Sequence, residues 1–250
     1  MATVDKYAAI AAQYDQMLQD NPSREMFFRK TFERYHVRSI LDCACGTGKD
    51  LLLFCSMGYR VVGSDISDSM LQVAQSTINM HSAEVTLRKA DFHNLKAIHD
   101  NKFDAIVCLS NAINEEEVDP TKALESMKEV LAPGGIIVFD QGQTDFTMRN
   151  PPLYAPVTNN RELSRLHTME YHQDIMTVNV FDFLHNERKR DYDFSYSQFK
   201  IRIRLYAEWK ALLEKSQLDV EYYGNWEEEP YSPDSSMRLI IVSKTTTGRQ

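Results

Sequence analysis

"ILDCACGTGKD", residues 40–50, runs from a short aliphatic segment into a loop of two cysteines, two glycines and a lysine. An apolar run that ends in a glycine loop and restarts as the helical pattern "DLLLFCSM" is a strand-to-helix junction, and its ligand chemistry decides the fold. A phosphate loop needs a glycine where Cys43 stands and Ser or Thr where Asp50 stands, so that reading fails. A dinucleotide fingerprint needs three glycines where the chain has Ala44, Gly46 and Lys49. What remains is an acid, Asp42, followed by Ala44, Gly46 and Gly48, with two side chains removed so that backbone can lie against a ligand.

Outward from this junction, the first 140 residues alternate strand and helix. "RVVGSD" is a second strand ending at Asp65, followed by a helix after Ser67 with Met70, Leu71, Ala74 and Ile78 on one face. "EVTLRKAD" and "FDAIVCLSN" are further strands. Asp119-Pro120 opens another helix, cap then first-turn proline, which ends at Pro133-Gly134-Gly135 before the strand "IIVFD". Strands apolar nearly throughout and alternating with helices predict a parallel sheet covered on both faces.

The pattern changes after three prolines at 151, 152 and 156. Met176, Val178 and Val180 alternate, then Phe181 and Phe183 take the opposite phase. Tyr192, Phe194 and Tyr196 give way in the same manner to Phe199, Ile201 and Ile203. Each phase switch predicts a bulge or a break, within an antiparallel insertion over 150–205. "AEWKALLEKSQ" resumes helix, and "LDVEYYG" and "MRLIIVSK" finish the sheet.

The chain has 250 residues and a net charge of −8, which argues against a phosphate-backbone partner. The one dense basic run, at 187–191, reads as a solvated hairpin turn. The start carries no secretory pattern and no run approaches the roughly 20 apolar residues that span a bilayer, so a cytoplasmic protein without membrane contact is expected. The four cysteines form no paired CxxC sets and read as reduced structural thiols. The seven histidines show no HxxxH spacing and no GxSxG occurs, so neither a metal site nor a nucleophile elbow is expected.

Asp65 stands 17 residues after Gly48, where a carboxylate can accept both hydrogen bonds of a ribose diol. A free ribose joined to a cationic amino acid, without phosphates, describes S-adenosylmethionine. At this point the chain resembles the class I S-adenosylmethionine-dependent methyltransferases: "ILDCACGTG", "VVGSDISDSML", "KADF", "FDAIVCLSN" and "LAPGGIIVFD" follow that family's motifs in order. The resemblance implies a doubly wound, mostly parallel, seven-stranded Rossmann-like α/β sheet with an antiparallel β insertion after the fifth strand. It divides the chain into an N-terminal helical lid (1–36), a cofactor-binding core (37–149), a substrate lid (150–205) and a C-terminal helix and strands (206–250).

Carried onto this sequence, the resemblance implies that Ala44, Gly46 and Gly48, behind Asp42, line the methionine and ribose. It places Asp65 on the ribose hydroxyls, Ile66 and Met70 against the adenine, Asp91 and Phe92 at its amino edge, and Leu109 by the methionyl group. The chain is closer to the small-molecule branch that includes glycine N-methyltransferases, through "AAQYDQML", "CLSNA" and "GNWEEEPYSPDSSMRLIIVSK". That likeness implies Tyr14 and Arg24 on the cofactor carboxylate, with Tyr7 nearby, and Asn111 at the acceptor.

Glycine methyltransferases place an arginine where this chain has Gly142, which argues against glycine; Arg149, Arg202 or Arg204 are the substitutes, the last two alternating with isoleucines as solvent-facing residues do. Tyr154, Tyr171, Tyr192, Tyr196 and Tyr206 are candidates for an amine cage, and His167 and His172 for a base. Asn111, Tyr206 and His172 are the candidate catalytic residues. The expected activity is methyl transfer to a small acceptor, at nitrogen, the alternatives being an O-methyltransferase or a catalytically silent cofactor-binding module.

Overall fold

The computed structural model describes residues 5–17, 21–186, 191–216 and 218–245, so the basic run expected as a hairpin turn lies, but for Asp191, outside the described residues. Seven strands, β1 (Ser39–Asp42), β2 (Arg60–Asp65), β3 (Val85–Lys89), β4 (Phe103–Cys108), β5 (Leu131–Gln141), β10 (Leu218–Tyr223) and β11 (Leu239–Thr245), form one sheet. Its order is β3-β2-β1-β4-β5-β11-β10; β1 to β5 are parallel, and β11 runs antiparallel to both β5 and β10. The chain winds outward from β1 to β3, then returns to the far side of β1 to make β4. That reversal opens a crevice at the carboxyl ends of β1 and β4, where ligands of such sheets bind.

The central strands are buried on both faces, which is why they read as unbroken apolar runs. Ile106 and Ile137 pack with Trp209 on one face, while Ala105, Val107 and Val138 meet Phe27, Phe28 and Phe54 on the other. Helices α1 (Pro22–Arg34) and α2 (Lys49–Ser56) supply those phenylalanines. α3 (Asp68–Met80) starts where the Ser67 side chain accepts from the Met70 N–H, and α4 (Pro120–Val130) where Asp119 accepts from Thr121 and Lys122. α5 (Tyr206–Glu214) buries Trp209 and Leu213. β5 begins earlier than its sequence suggests: Leu131 already pairs with Phe103, and the register then shifts across the proline–glycine turn to Ala105–Ile136.

The second sheet is an antiparallel meander of β6 (Tyr154–Asn159), β7 (Leu163–His172), β8 (Ile175–Asn186) and β9 (Asp191–Arg202). Here the expected bulges are overturned. β8 and β9 pair without interruption from Ile175–Arg202 to Asn186–Asp191, and among the described residues the register of this sheet shifts in β6, between Pro156 and Thr158.

The apolar phase switches for a different reason. Met176, Val178 and Val180 face inward, and the next inward position holds Asp182, paired with Arg165. Phe181 and Phe183, with Phe194, Tyr196 and Tyr192 of β9, lie on the opposite face, and all but Phe181 are exposed. Their rings pair across the strands, Phe183–Phe194 at 5.3 Å and Phe181–Tyr196 at 5.4 Å.

The Arg165–Asp182 pair is fully shielded from solvent and bidentate, Nε to Oδ1 at 2.6 Å and Nη2 to Oδ2 at 2.5 Å. The Arg165 Nη1 also donates to the Gln13 carbonyl at 3.1 Å, tying this sheet to the N-terminal segment. Removing one partner strands a buried charge. Arg165→Leu is expected to lower unfolding stability by about 3–5 kcal/mol, whereas Arg165→Leu with Asp182→Leu recovers most of the loss. Urea titrations of the two variants and the parent check this; equal losses in single and double variants would contradict it.

Candidate active site

The glycine loop leaves β1 beneath the crevice. Gly46 has φ +51° and a side chain there would meet open space, so the loop's free surface faces a cleft rather than the core. Gly48, at φ +85°, caps α2, and a Cβ on it would stand 3.2 Å from that of Ala74, so here backbone must approach α3 closely. β2 ends beside the loop, and the Asp65 carboxylate joins the two: Oδ2 accepts from the Gly46 N–H at 2.8 Å and Oδ1 from the Ser67 N–H at 2.9 Å. Each oxygen keeps a second lone pair.

The cleft is walled by Ala44, Gly46, Asp65, Ile66, Met70, Phe92 and Leu109, with Tyr7 and Tyr14 from the N-terminal segment across it. Four residues named from the sequence stand elsewhere. Asp42 lies buried under the loop, accepting from the Ala44 N–H at 3.2 Å. Gly48 supports the loop from behind. Asp91 is exposed and caps its own turn through His93. Arg24 lines an adjoining groove with Trp226 and Arg238 and pairs with Asp50 at 2.7 Å, while its Nε is buried without a partner.

Charge in the cleft is mainly acidic: Asp50, Asp65 and Glu115 line it, with Lys49 the one cation among the described lining residues. Burial and the neighbouring Asp50 push the Asp42 carboxyl well above its ordinary 3.8. Burial also raises Asp65, to which Glu115 adds, against the hydrogen bonds from Ser67 and Gly46. Such a site favours a cation over a phosphate, and Asp65 offers acceptors for hydroxyls. This donor set, with the open space over Gly46, fits S-adenosylmethionine. The cleft itself holds only about 90 Å³, below the roughly 300–1,000 Å³ typical of small-ligand sites. Tyr7 and Tyr14 occupy the remainder of the opening. Their segment is pinned where Asp5 accepts from Ser67 and Ser69 and Asp15 accepts from Thr47.

A second cavity, about 660 Å³, adjoins the first between the two sheets. Tyr7, Tyr14, Ser110 and Glu115 wall both. Glu115 accepts from the Tyr7 hydroxyl and pairs with Lys6 at 2.5 Å. It was not singled out in the sequence, although the acidic run directly after the fourth-strand loop is its signal. Burial and Glu115 push the Tyr14 phenol up to about 12, so it stays protonated at neutral pH.

Asn111 also lines the second cavity, at φ +68°, its Oδ1 accepting from the Gly142 N–H at 3.2 Å. Ser110 before it is likewise left-handed, at φ +59°, a strained pair where the two cavities meet.

Other expectations need correction. Tyr206 is not in either cavity: it stacks on Tyr231 at 5.0 Å and abuts the core beside Tyr222, because it opens α5 on the far side of the sheet. His172 is exposed at the end of β7, beside the hairpin to Ile175. Of the proposed cage, Tyr171 alone lines the cavity; Tyr154, Tyr192 and Tyr196 are exposed. Arg204 is not solvent-facing but buried, its Nη1 donating to Asn114 at 3.2 Å. Arg202 pairs with Asp174, and Arg149, on the cavity wall, pairs with Asp234.

Among the described residues no group of His, Cys, Asp or Glu is placed to hold a metal ion, and no helix is long and apolar enough to cross a membrane.

Comparison with known proteins agrees with this geometry. Residues 40–135, from the glycine loop to the turn before the straight part of β5, match the family described as "Methyltransferase domain". The chain is 31% identical over 140 residues to a glycine/sarcosine N-methyltransferase of Parasynechococcus marenigrum, covering 53% of this chain and 49% of that one. It is 30% identical over 134 residues to a ubiquinone biosynthesis O-methyltransferase of Alkalilimnicola ehrlichii, covering 54% and 51%. The match thus spans about half the length of these relatives. The fold superposes on a crystal structure of an S-adenosylmethionine-dependent methyltransferase from Clostridium acetobutylicum with a TM-score of 0.82, at 18% identity, over 96% of this chain and 98% of that one. Residues 40–135 thus carry a methyltransferase domain, in a chain whose fold is that of S-adenosylmethionine-dependent methyltransferases, with a switch-point crevice, glycine loop and second-strand acid.

Proposed function

We propose that this protein transfers a methyl group from S-adenosylmethionine to a small acceptor molecule held in the 660 Å³ cavity. The observation that carries the reading is the shared wall: Tyr7, Tyr14, Ser110 and Glu115 border both the cofactor cleft and the larger cavity, so the two ligands meet there. When bound, the cofactor supplies a methyl group on a positively charged sulfur, a good leaving group.

The protein's part is placement and exclusion of water. Asp65 holds the ribose hydroxyls. Ala44 and Gly46 lie along the amino-acid portion, with Leu109 beside it. Ile66, Met70 and Phe92 flank the base. Asp42 sets the loop through Ala44, and Asn111 sets the wall of the acceptor cavity through Gly142. The N-terminal segment acts as the lid. It admits the cofactor when the Asp5 and Asp15 hydrogen bonds release, and closes Tyr7 and Tyr14 over it. The antiparallel sheet of β6 to β9, described over residues 154–186 and 191–202, forms the other side of the acceptor site.

Nitrogen is the preferred acceptor atom. The junction carries the Glu115 carboxylate, an acceptor for an amine N–H that leaves the nitrogen lone pair for the methyl group. Solved neighbours of the same fold include the sugar N-methyltransferase KedS8. Gly142 stands where glycine methyltransferases place an arginine, which speaks against glycine as the acceptor.

Calorimetry with S-adenosylmethionine and S-adenosylhomocysteine tests the cofactor site. Both are expected to bind, and Asp65→Ala to weaken both by at least about tenfold, the scale of a lost charge-assisted hydrogen bond. No binding by the parent, or an indifferent Asp65→Ala, would sink the reading. Homocysteine release with amine and phenol acceptors then separates an enzyme from a silent module, amine turnover being expected.

The raised carboxylates add a pH dependence. Burial raises both Asp42 and Asp65, so on acidification they take up protons before an ordinary carboxylate with a value of 3.8 would. Neutralising them removes attraction for the sulfonium. Affinity for S-adenosylmethionine is therefore expected to fall on acidification more steeply, and from a higher pH, than affinity for uncharged-sulfur S-adenosylhomocysteine. Parallel pH profiles for the two would contradict this.

A further inference from the structure

The antiparallel sheet is built inside out. Its inner face lines the acceptor cavity and buries the Arg165–Asp182 pair, while its outer face carries the rings. Alternation along the paired strands puts Pro156, Leu166, Phe181 and Tyr196 in one outward row. Phe183 with Phe194, and His185 with Tyr192, continue it in the next two. Leu166, Phe183, Tyr192, Phe194 and Tyr196 are 37–62% exposed. The three cross-strand ring pairs, with centroids 5.2–5.4 Å apart, hold these side chains in place before any contact is made. Little rotamer freedom is then left to lose on binding.

Charge is missing where a solvated face would carry it. Asp, Glu, Lys and Arg make up 26% of the chain. Yet no outward position holds one of them from the Asn159–Ser164 and His185–Tyr192 pairs to the Thr168–Asn179–Gln198 row. Glu170 and Lys200 come only in the row after that.

The area is that of a contact surface. At about 200 Å² per aromatic side chain, the exposed parts of Tyr154 and the four exposed rings of β8 and β9 present roughly 550 Å². That lies at the upper end for the largest apolar patch of a monomer, about 300–600 Å². A stable interface takes about 800 Å² from each partner. Leu166, Pro156 and a groove of about 490 Å³ beside Phe183 and Tyr192, with Asn159 and Arg161 at its margin, extend the band toward that figure.

The charge pattern selects the occupant. Two copies of a chain with net charge −8 repel each other. A two-fold contact also sets each patch against itself, so a lone charge on it would meet its own kind. A band free of charge is what such a contact requires. A bilayer surface, or a partner recognised by charge, calls for a charged band instead.

We infer that a second copy of this chain docks face to face on the outer side of the β6–β9 sheet, forming a closed two-fold dimer centred on Leu166, Phe183, Phe194 and Tyr196. The same strands present Met169, Met176 and Val178 to the acceptor cavity, so the docked copy backs that cavity's wall. Such a dimer is independent of the methyl-transfer reading: mass tests the one, binding of S-adenosylhomocysteine the other.

Sedimentation equilibrium of the full chain is the test. At about 50 μM the parent is expected to give twice the chain mass of 28.9 kDa and no larger species. Leu166→Lys on β7 and Phe194→Lys on β9 each set like charges inside the contact. Each is expected to raise the dimer dissociation constant at least about a hundredfold. Met80→Lys changes an exposed apolar side chain at the end of α3, outside the band, and is expected to leave the dimer intact. Unchanged urea midpoints show that the variants are folded, and where one band variant unfolds, the other, on a separate strand, carries the test. A monomeric parent at that concentration, an open series of larger species, dimers that survive the folded band variants, or loss of the dimer in Met80→Lys would overturn the inference. A monomeric parent that sediments with phosphatidylserine vesicles would overturn it too, and would give the face to a membrane.

Discussion

Everything at the site depends on where the chain reverses direction in the sheet, and on the carboxylate that fixes the glycine loop beside that reversal. β1 and β4 are neighbours, but their continuing chains diverge to opposite sides, so the crevice between their carboxyl ends cannot be filled by a crossover helix. On the β1 side of that crevice the Asp65 carboxylate, at the end of β2, accepts from the Gly46 and Ser67 N–H groups at once. One side chain thereby sets the glycine loop, starts the turn into α3 and presents free lone pairs to the cleft. A phosphate would be repelled there; a hydroxylated cation is not.

The second constraint is the buried Arg165–Asp182 pair. It takes inward positions that the strand pattern would otherwise give to aliphatic side chains, and so turns the aromatic rings of β8 and β9 outward. Its remaining nitrogen holds the Gln13 carbonyl, which positions the segment bearing Tyr7 and Tyr14. The lid sheet and the N-terminal segment are thus coupled through one guanidinium. Burial, with the Arg165 charge beside it, also holds the neighbouring His167 below its ordinary value.

Much of the core was legible because its signals are local. Apolar runs bounded by glycine, an Asp-Pro helix start and an acid at the end of the second strand are written in contiguous residues, and the parallel sheet follows from them. The cleft residues Ala44, Gly46, Asp65, Ile66, Met70 and Phe92 lie next to those signals in the chain. What escaped depends on contacts between distant segments. The phase switch near Phe181 looked like a bulge because the partner that compensates Asp182 lies 17 residues away on another strand. Tyr206 seemed to belong with the aromatic insertion that precedes it, yet α5 packs on the far face of the core sheet. Glu115 joins the site only because Lys6 and Tyr7, more than a hundred residues earlier, fold across it.

The most direct measurement is a crystal structure of the protein with S-adenosylhomocysteine. The account predicts ribose hydroxyls on the Asp65 carboxylate, the base between Ile66, Met70 and Phe92, and the sulfur at the shared wall of Tyr7, Tyr14 and Glu115, facing the methionine-lined cavity. A ligand seated in the groove beside Arg24 and Trp226, or one whose sulfur points away from that cavity while Asp65 bonds only Gly46 and Ser67, would contradict it.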